Sequence, residues 1–277
     1  MSKLDGKVAF ITGVARGQGR SHALALAREG AAIIGVDLCE SSLPSVPYEL
    51  ASRADLDETV RLVEQAGGKI LARVADVRDL AALKAVVDEG VALFGRLDII
   101  IGNAGIVSYG DVATMDEDRW QQMIDINLTG VWKAVRAGVE HIIEGGAGGA
   151  IVLISSTAGL RNMNTIGHYV VAKHGVTALA KVLANELGPH GIRVNSVHPT
   201  NVRTPMLDNP GTRRMFRPDL DDPQLDDVTD AFASSHLLDA PWVEPEDVSN
   251  AILYLVSDHG RYVTGSPFVI DAGFVAK

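Results

Sequence analysis

Short apolar runs alternate along this chain with longer stretches of helical periodicity, the rhythm of βαβ units around a parallel sheet. The run Val8–Thr12 predicts a buried strand, and residues 18–29 a helix closed by Gly30. A second strand follows at Ala32–Asp37, a helix at 55–66, a strand at 69–75, a helix at 79–94 and a strand at 97–101. Helical spacing covers 116–144 as two segments, and 150–155 is a fifth strand. A long helix is expected over Gly167–Leu187, a strand over 193–197, a helix over 245–257 and a seventh strand over Pro267–Ile270. The apolar runs are too short to be anything but strands covered on both faces.

Two segments break the rhythm. The connection 38–54 is far longer than an ordinary strand-to-helix loop, and 204–243 mixes Pro and Asp with Met206, Leu207, Met215, Phe216 and Trp242. No shift in composition marks a second domain, so residues 1–277 read as one α/β domain with two elaborations.

Composition adds mainly exclusions. A net charge of −10 without any basic run argues against nucleic acid and anionic membrane as partners. No stretch reaches the roughly 18 apolar residues of a membrane helix, and no secretory leader follows the N-terminal residues. One cysteine, Cys39, excludes an internal disulfide and fits a reducing, cytoplasmic setting.

Candidate chemistry starts where the first strand should turn into the first helix, at Thr12-Gly-Val-Ala-Arg-Gly-Gln-Gly19. Glycines there let backbone approach a pyrophosphate, and the helix start offers free N–H groups. Asp37 closes the second strand, where a carboxylate accepts from ribose hydroxyls and repels a 2′-phosphate, which favours NAD over NADP. Arg16 could reach toward such a phosphate; a solvated side chain or a partner for Asp37 is the reading preferred here. Further on, Tyr169 and Lys173 lie four residues apart and share one helical face. A fixed cation beside a phenol lowers its pKa toward the range of a general acid/base.

Taken together, the chain resembles the short-chain dehydrogenase/reductase family over nearly its whole length. The resemblance rests on the Thr12–Gly19 turn, Asp76-Val77, Asn103-Ala-Gly105, Asn127, Ser155-Ser156, Tyr169 with Lys173, and Pro199 with Val202-Arg-Thr204. It implies a Rossmann-like, doubly wound parallel sheet of seven strands with helices on both faces. The stretch from Ala15 to His22, the ending Val36-Asp-Leu-Cys39 and the segment through Tyr48-Glu-Leu50 are similar to the carveol dehydrogenase group, which is coupled to mycofactocin. In that group the insertion after the second strand goes with a nicotinamide cofactor that exchanges slowly. Two positions depart from many relatives: Gln18 replaces an aliphatic residue, and Thr200 stands where a glycine follows the proline.

Residue roles follow from the resemblance. Asn127, Ser156, Tyr169 and Lys173 are the catalytic set, with Ser156 thirteen residues before Tyr169. Asn127 would bend its helix and hold a water between Lys173 and solvent. NAD would be held by Gly13, Arg16, Gly17, Gln18, Gly19, Asp37, Leu38, Asp76, Val77, Asn103, Ala104 and Gly105 on its adenosine side. Tyr169, Lys173, Pro199, Val202 and Thr204 would hold its nicotinamide side. The substrate is expected to be a small hydrophobic secondary alcohol or its ketone, of cyclic terpenoid type, covered by the 204–243 segment. A homotetramer and an external, mycofactocin-type redox partner are also implied. The rival readings are an NADPH-dependent ketone or 3-oxoacyl reductase, a steroid or polyol dehydrogenase, and a silent nucleotide-binding scaffold. No metal is expected, because His22, His168 and His174 lack ligand partners at suitable spacing and the acidic residues 219–230 lack an EF-hand glycine. His22 is expected to pack on the first helix, and His168 to border the substrate cleft.

Overall fold

Every apolar run expected to be a strand enters one sheet. β1 (Val8–Thr12), β2 (Ala32–Asp37), β3 (Lys69–Val74), β4 (Ile99–Gly102), β5 (Gly149–Ile154), β6 (Ile192–Pro199) and β7 (Pro267–Ile270) are all parallel. Their spatial order is β3-β2-β1-β4-β5-β6-β7. The computed structural model describes residues 2–277. Chain direction across the sheet reverses between β1 and β4, and a crevice opens there at the carboxyl ends of the strands.

The helices are α1 (Gly17–Arg28), α2 (Arg53–Gln65), α3 (Leu80–Phe94), α4 (Glu117–Ile124), α5 (Gly130–Gly145), α6 (Gly167–Leu187), α7 (Pro210–Phe216), α8 (Leu225–Ser234) and α9 (Pro245–Val256). Alternation along each strand feeds two cores. Ala9 and Ile11 of β1 and Ile99 and Ile101 of β4 meet α1, α2 and α9. Val8, Phe10 and Ile100 point the other way, onto α3, α5 and α6. Both faces of the sheet are covered, which is why the strands read as unbroken apolar runs.

The two helical segments expected over 116–144 are α4 and α5, and a π turn, Asp125–Thr129, joins them with right-handed helical angles throughout. The 204–243 segment contains α7 and α8, whose short, Asp- and Pro-rich sequences carry little periodicity. Both begin on local caps: Asn209 accepts from the Thr212 N–H, and Asp227 accepts from the Gln224 N–H.

Candidate active site

The glycine turn forms the floor of the crevice. Gly13 and Gly17 take left-handed φ angles of +71° and +56°. A Cβ on Gly19 would stand 1.9 Å from the Gly13 carbonyl oxygen, so this turn admits only glycine. No side chain caps the start of α1, which leaves its N–H groups facing a cavity of about 170 Å³. Gln18 Oε1 is buried there without a partner. Uncapped N–H groups, close-approach glycines and an orphaned amide oxygen form a cradle suited to the pyrophosphate and ribose of a dinucleotide.

The expected adenosine-side residues converge on this cavity. Gly13, Arg16, Gly17, Gln18, Gly19, Asp37 and Leu38 line one wall, and Asp76, Val77, Asn103, Ala104 and Gly105 the other. Asp37 Oδ2 accepts the Ala15 N–H at 2.9 Å. Burial pushes its carboxyl upward, against N–H bonds from Ala15, Cys39 and Leu38 and the charge of Arg16. Burial also pushes Asp76 up, but the Arg78 guanidinium hydrogen-bonded to it prevails, so its carboxyl stays below the usual range. Asn103 works on the framework, donating to the Thr12 carbonyl at 2.8 Å and the Gly13 carbonyl at 3.2 Å.

The connection after β2 covers the same cavity. Arg16 donates to the Glu49 carbonyl rather than to Asp37, which ties the glycine turn to this segment. The Tyr48 hydroxyl accepts the Val107 N–H at 3.1 Å, and Ser45 bonds Gln122 of α4. Leu43 is buried against Val77, Ile106 and Ile126. Leu43, Tyr48 and Leu50 therefore form a roof anchored on three other parts of the fold.

Where β5 ends, the chain turns tightly against α6. A Cβ on Gly159 would meet Ser155 Oγ at 2.3 Å and the Lys173 carbonyl at 2.7 Å, so the turn packs directly on the helix. Ser155 points into that packing and donates to the Lys173 carbonyl at 2.9 Å. Ser156 instead faces a second cavity, whose wall it shares with Tyr169, and its Oγ accepts the Ala158 N–H at 3.1 Å. Burial pushes the Tyr169 phenol up to about 12, with the Ser156 hydroxyl pulling against it. Burial also draws the Lys173 ammonium down to about 8. In the folded chain desolvation therefore sets the phenol, in place of the lowering by Lys173 that the spacing suggested. Lys173 Nζ stands 5.5 Å from the Tyr169 ring centroid and donates to the Ile154 carbonyl at 2.8 Å.

Asn127 lies in the π turn, fully buried, and grips Ile106 twice. Its Oδ1 accepts the Ile106 N–H at 2.9 Å, and its Nδ2 donates to the Ile106 carbonyl at 2.7 Å. A Cβ on Gly105 would lie 3.5 Å from Asn127 Oδ1 and 3.7 Å from Lys173 Nζ, so both side chains converge beneath the Gly105 backbone.

The second cavity, about 380 Å³, is the wider one. Gln18 and Thr204 line both cavities and join them, while Pro199 and Val202 line only the second. Met206, Leu207, Met215 and Phe216 supply its apolar wall as the segment composition suggested. Trp242 does not take part: its ring lies 5.5 Å from the Arg203 guanidinium. His168 is fully buried, bonded to Ser108 at 2.8 Å, and is not a wall residue. His22 packs between α1 and α9 on Ser249, at 2.8 Å. Sequence reasoning missed Tyr109 and Phe274 in the wall. Tyr109 bonds Thr212 of α7 at 2.5 Å, a contact between distant segments that no local signal announces.

A family model described as enoyl-(acyl carrier protein) reductase matches residues 13–275. A (−)-trans-carveol dehydrogenase of Rhodococcus erythropolis is 50% identical, over 100% of both chains. The crystal structure of carveol dehydrogenase from Mycobacterium avium in complex with NAD has a TM-score of 0.98 at 50% identity, covering 100% of both chains. A short chain dehydrogenase from Mycobacterium paratuberculosis bound to NAD has a TM-score of 0.90 at 46% identity, covering 99% of this chain and 100% of that one.

Proposed function

The chain belongs to the short-chain dehydrogenase/reductase family, and on that footing we propose that it is an NAD-dependent dehydrogenase of cyclic, carveol-type secondary alcohols. The observation that carries this reading is the placement of Ser156 and Tyr169 together in the wall of an apolar cavity that opens onto the glycine-turn cleft.

Tyr169, as phenolate, accepts the hydroxyl proton of the alcohol, and Ser156 donates to the same oxygen and holds it in reach. NAD, when bound, would supply the hydride acceptor for the carbinol carbon. The proton leaves Tyr169 toward Lys173 and then to solvent, by a path that Asn127 maintains through its grip on Ile106. The Gly13–Gly19 turn would hold the pyrophosphate, Asp37 the adenosine ribose, and Asp76, Val77 and Asn103–Gly105 the adenine side. Lys173 would hold the second ribose, and Pro199, Val202 and Thr204 the carboxamide. Segment 204–243 would act as the lid over the alcohol, and the roof of Leu43, Tyr48 and Leu50 would slow nucleotide exchange.

Exposed apolar side chains on α5 and α6, Trp132, Val171 and Val182, support a homotetramer built through these helices. A roof that retains the nucleotide supports an external redox acceptor of the mycofactocin type, and the lone cysteine favours a cytoplasmic setting. Initial rates with carveol and other cyclic secondary alcohols test the reading. Reduction of NAD, bound or added, well above that of NADP is expected; alcohol-dependent reduction of NADP alone, or of neither nucleotide even in a single turnover, would refute it.

A further inference from the structure

Thr200 lines the second cavity, and its hydroxyl is engaged by a neighbouring histidine. Thr200 Oγ1 lies 2.7 Å from His236 Nε2, and His236 Nδ1 lies 2.5 Å from the Ala240 carbonyl. Since a carbonyl only accepts, Nδ1 carries the proton and Nε2 accepts from the Thr200 hydroxyl. This pair, with His236 buried and Thr200 partly buried, links the loop after β6 to the stretch following α8.

Phe274 stands against the same pair. Its ring meets the His236 ring edge-on, with centroids 6.1 Å apart. On its other side, the Arg161 guanidinium lies 5.0 Å from the ring centroid and donates to the Phe274 carbonyl at 2.8 Å. The backbone around it is fixed as well. The Ala272 carbonyl accepts from Leu237 and Leu238 at 2.9 and 3.0 Å, and Asp271 accepts from the Gly273 and Val275 N–H groups at 2.9 and 2.8 Å. Lys277 Nζ donates to the His236 carbonyl at 2.9 Å. Phe274 shares the cavity wall with Ser156, Tyr169 and Thr200. Phe274 is therefore a large ring in this wall that contacts both His236 and Arg161.

We propose that Phe274 sets the size of the alcohol this cavity accepts, and that the Thr200–His236 pair positions it. The inference rests on the dehydrogenase reading for the identity of the ligand, but it concerns binding and is tested without turnover. Tying the loop after β6 to the Phe274 wall fixes the substrate boundary relative to the residues expected to hold the nicotinamide. A glycine at position 200 could not make that link.

The test is calorimetric titration of NAD-loaded protein with cyclohexanone, cyclooctanone and cyclododecanone, which form no turnover pair with NAD. Phe274→Ala should move the size preference toward the larger rings, changing the affinity ratio between smallest and largest by on the order of tenfold. Phe274→Leu, a milder change to guard against misfolding, should move it in the same direction by less. Thr200→Val should partly reproduce the shift, and Thr200→Ser should restore the wild-type profile. A common loss of affinity for all three ketones, an unchanged profile, or no binding of any ketone by wild-type protein would overturn the proposal. Failure of the dehydrogenase reading would appear separately, as absence of alcohol-dependent NAD reduction alongside a size profile that still responds to Phe274.

Discussion

The Tyr48 hydroxyl accepts the Val107 N–H at 3.1 Å, joining the segment after β2 to the loop after β4 across the nucleotide cleft. With the bond from Arg16 to the Glu49 carbonyl, it fastens the roof at two edges. Opening the cleft therefore requires breaking these polar contacts, a typical hydrogen bond contributing about 0.5–1.5 kcal/mol.

Tyr48→Phe should release NAD roughly threefold to tenfold faster than wild type, the equivalent of one such bond. Nucleotide remaining after gel filtration, read by absorbance, measures this. Equal retention by the two proteins would mean that the roof does not govern exchange.

Asp37→Asn keeps an acceptor for the Ala15 N–H but removes the charge that repels a 2′-phosphate. The ratio of kcat/KM with NAD to that with NADP should fall by about tenfold, or about 1.4 kcal/mol. A ratio that does not move would place nucleotide discrimination elsewhere.

Lys173 links function to stability. Its pKa falls from an ordinary 10.5 to about 8 through burial, so the fold favours the neutral amine. Below pH 8 the native state carries the full penalty of the buried ammonium, about 3 kcal/mol, and this fades as pH rises from about 8 to 10.5. Lys173→Met should therefore be more stable than wild type at pH 7, by about 1–2 kcal/mol once the lost bond to Ile154 is counted, and no better near pH 10. It should lose dehydrogenase activity. Urea unfolding at the two pH values decides, and a variant less stable at pH 7 would contradict this view of the buried charge.

The sheet was legible because its strands are covered on both faces: Phe10 and Ile11 each enter a core, so no polar residue interrupts the run. The span of α6 was equally clear, and with it the shared face of Tyr169 and Lys173. The catalytic and nucleotide-side residues were legible as a family pattern; Ser156, Tyr169 and the nucleotide-side residues from Gly13 to Gly105 line two joined cavities, while Asn127 and Lys173 lie behind them. What escaped depends on distance or balance. The π turn at Asn127 shifts the register without changing composition. Phe274 reaches the cavity through Arg161, 113 residues away in sequence. Spacing alone suggested a phenol lowered by its neighbouring lysine, whereas burial of both groups prevails in the folded chain.

The most direct test of Tyr169 as the acid/base is Tyr169→Phe, which removes one oxygen and leaves the ring in place. Alcohol-dependent NAD reduction should fall by about 10²–10⁴-fold, with nucleotide binding near the wild-type level. Oxidation by the Phe variant within about twofold of wild type, well short of the effect expected from losing a general base, would contradict the assignment.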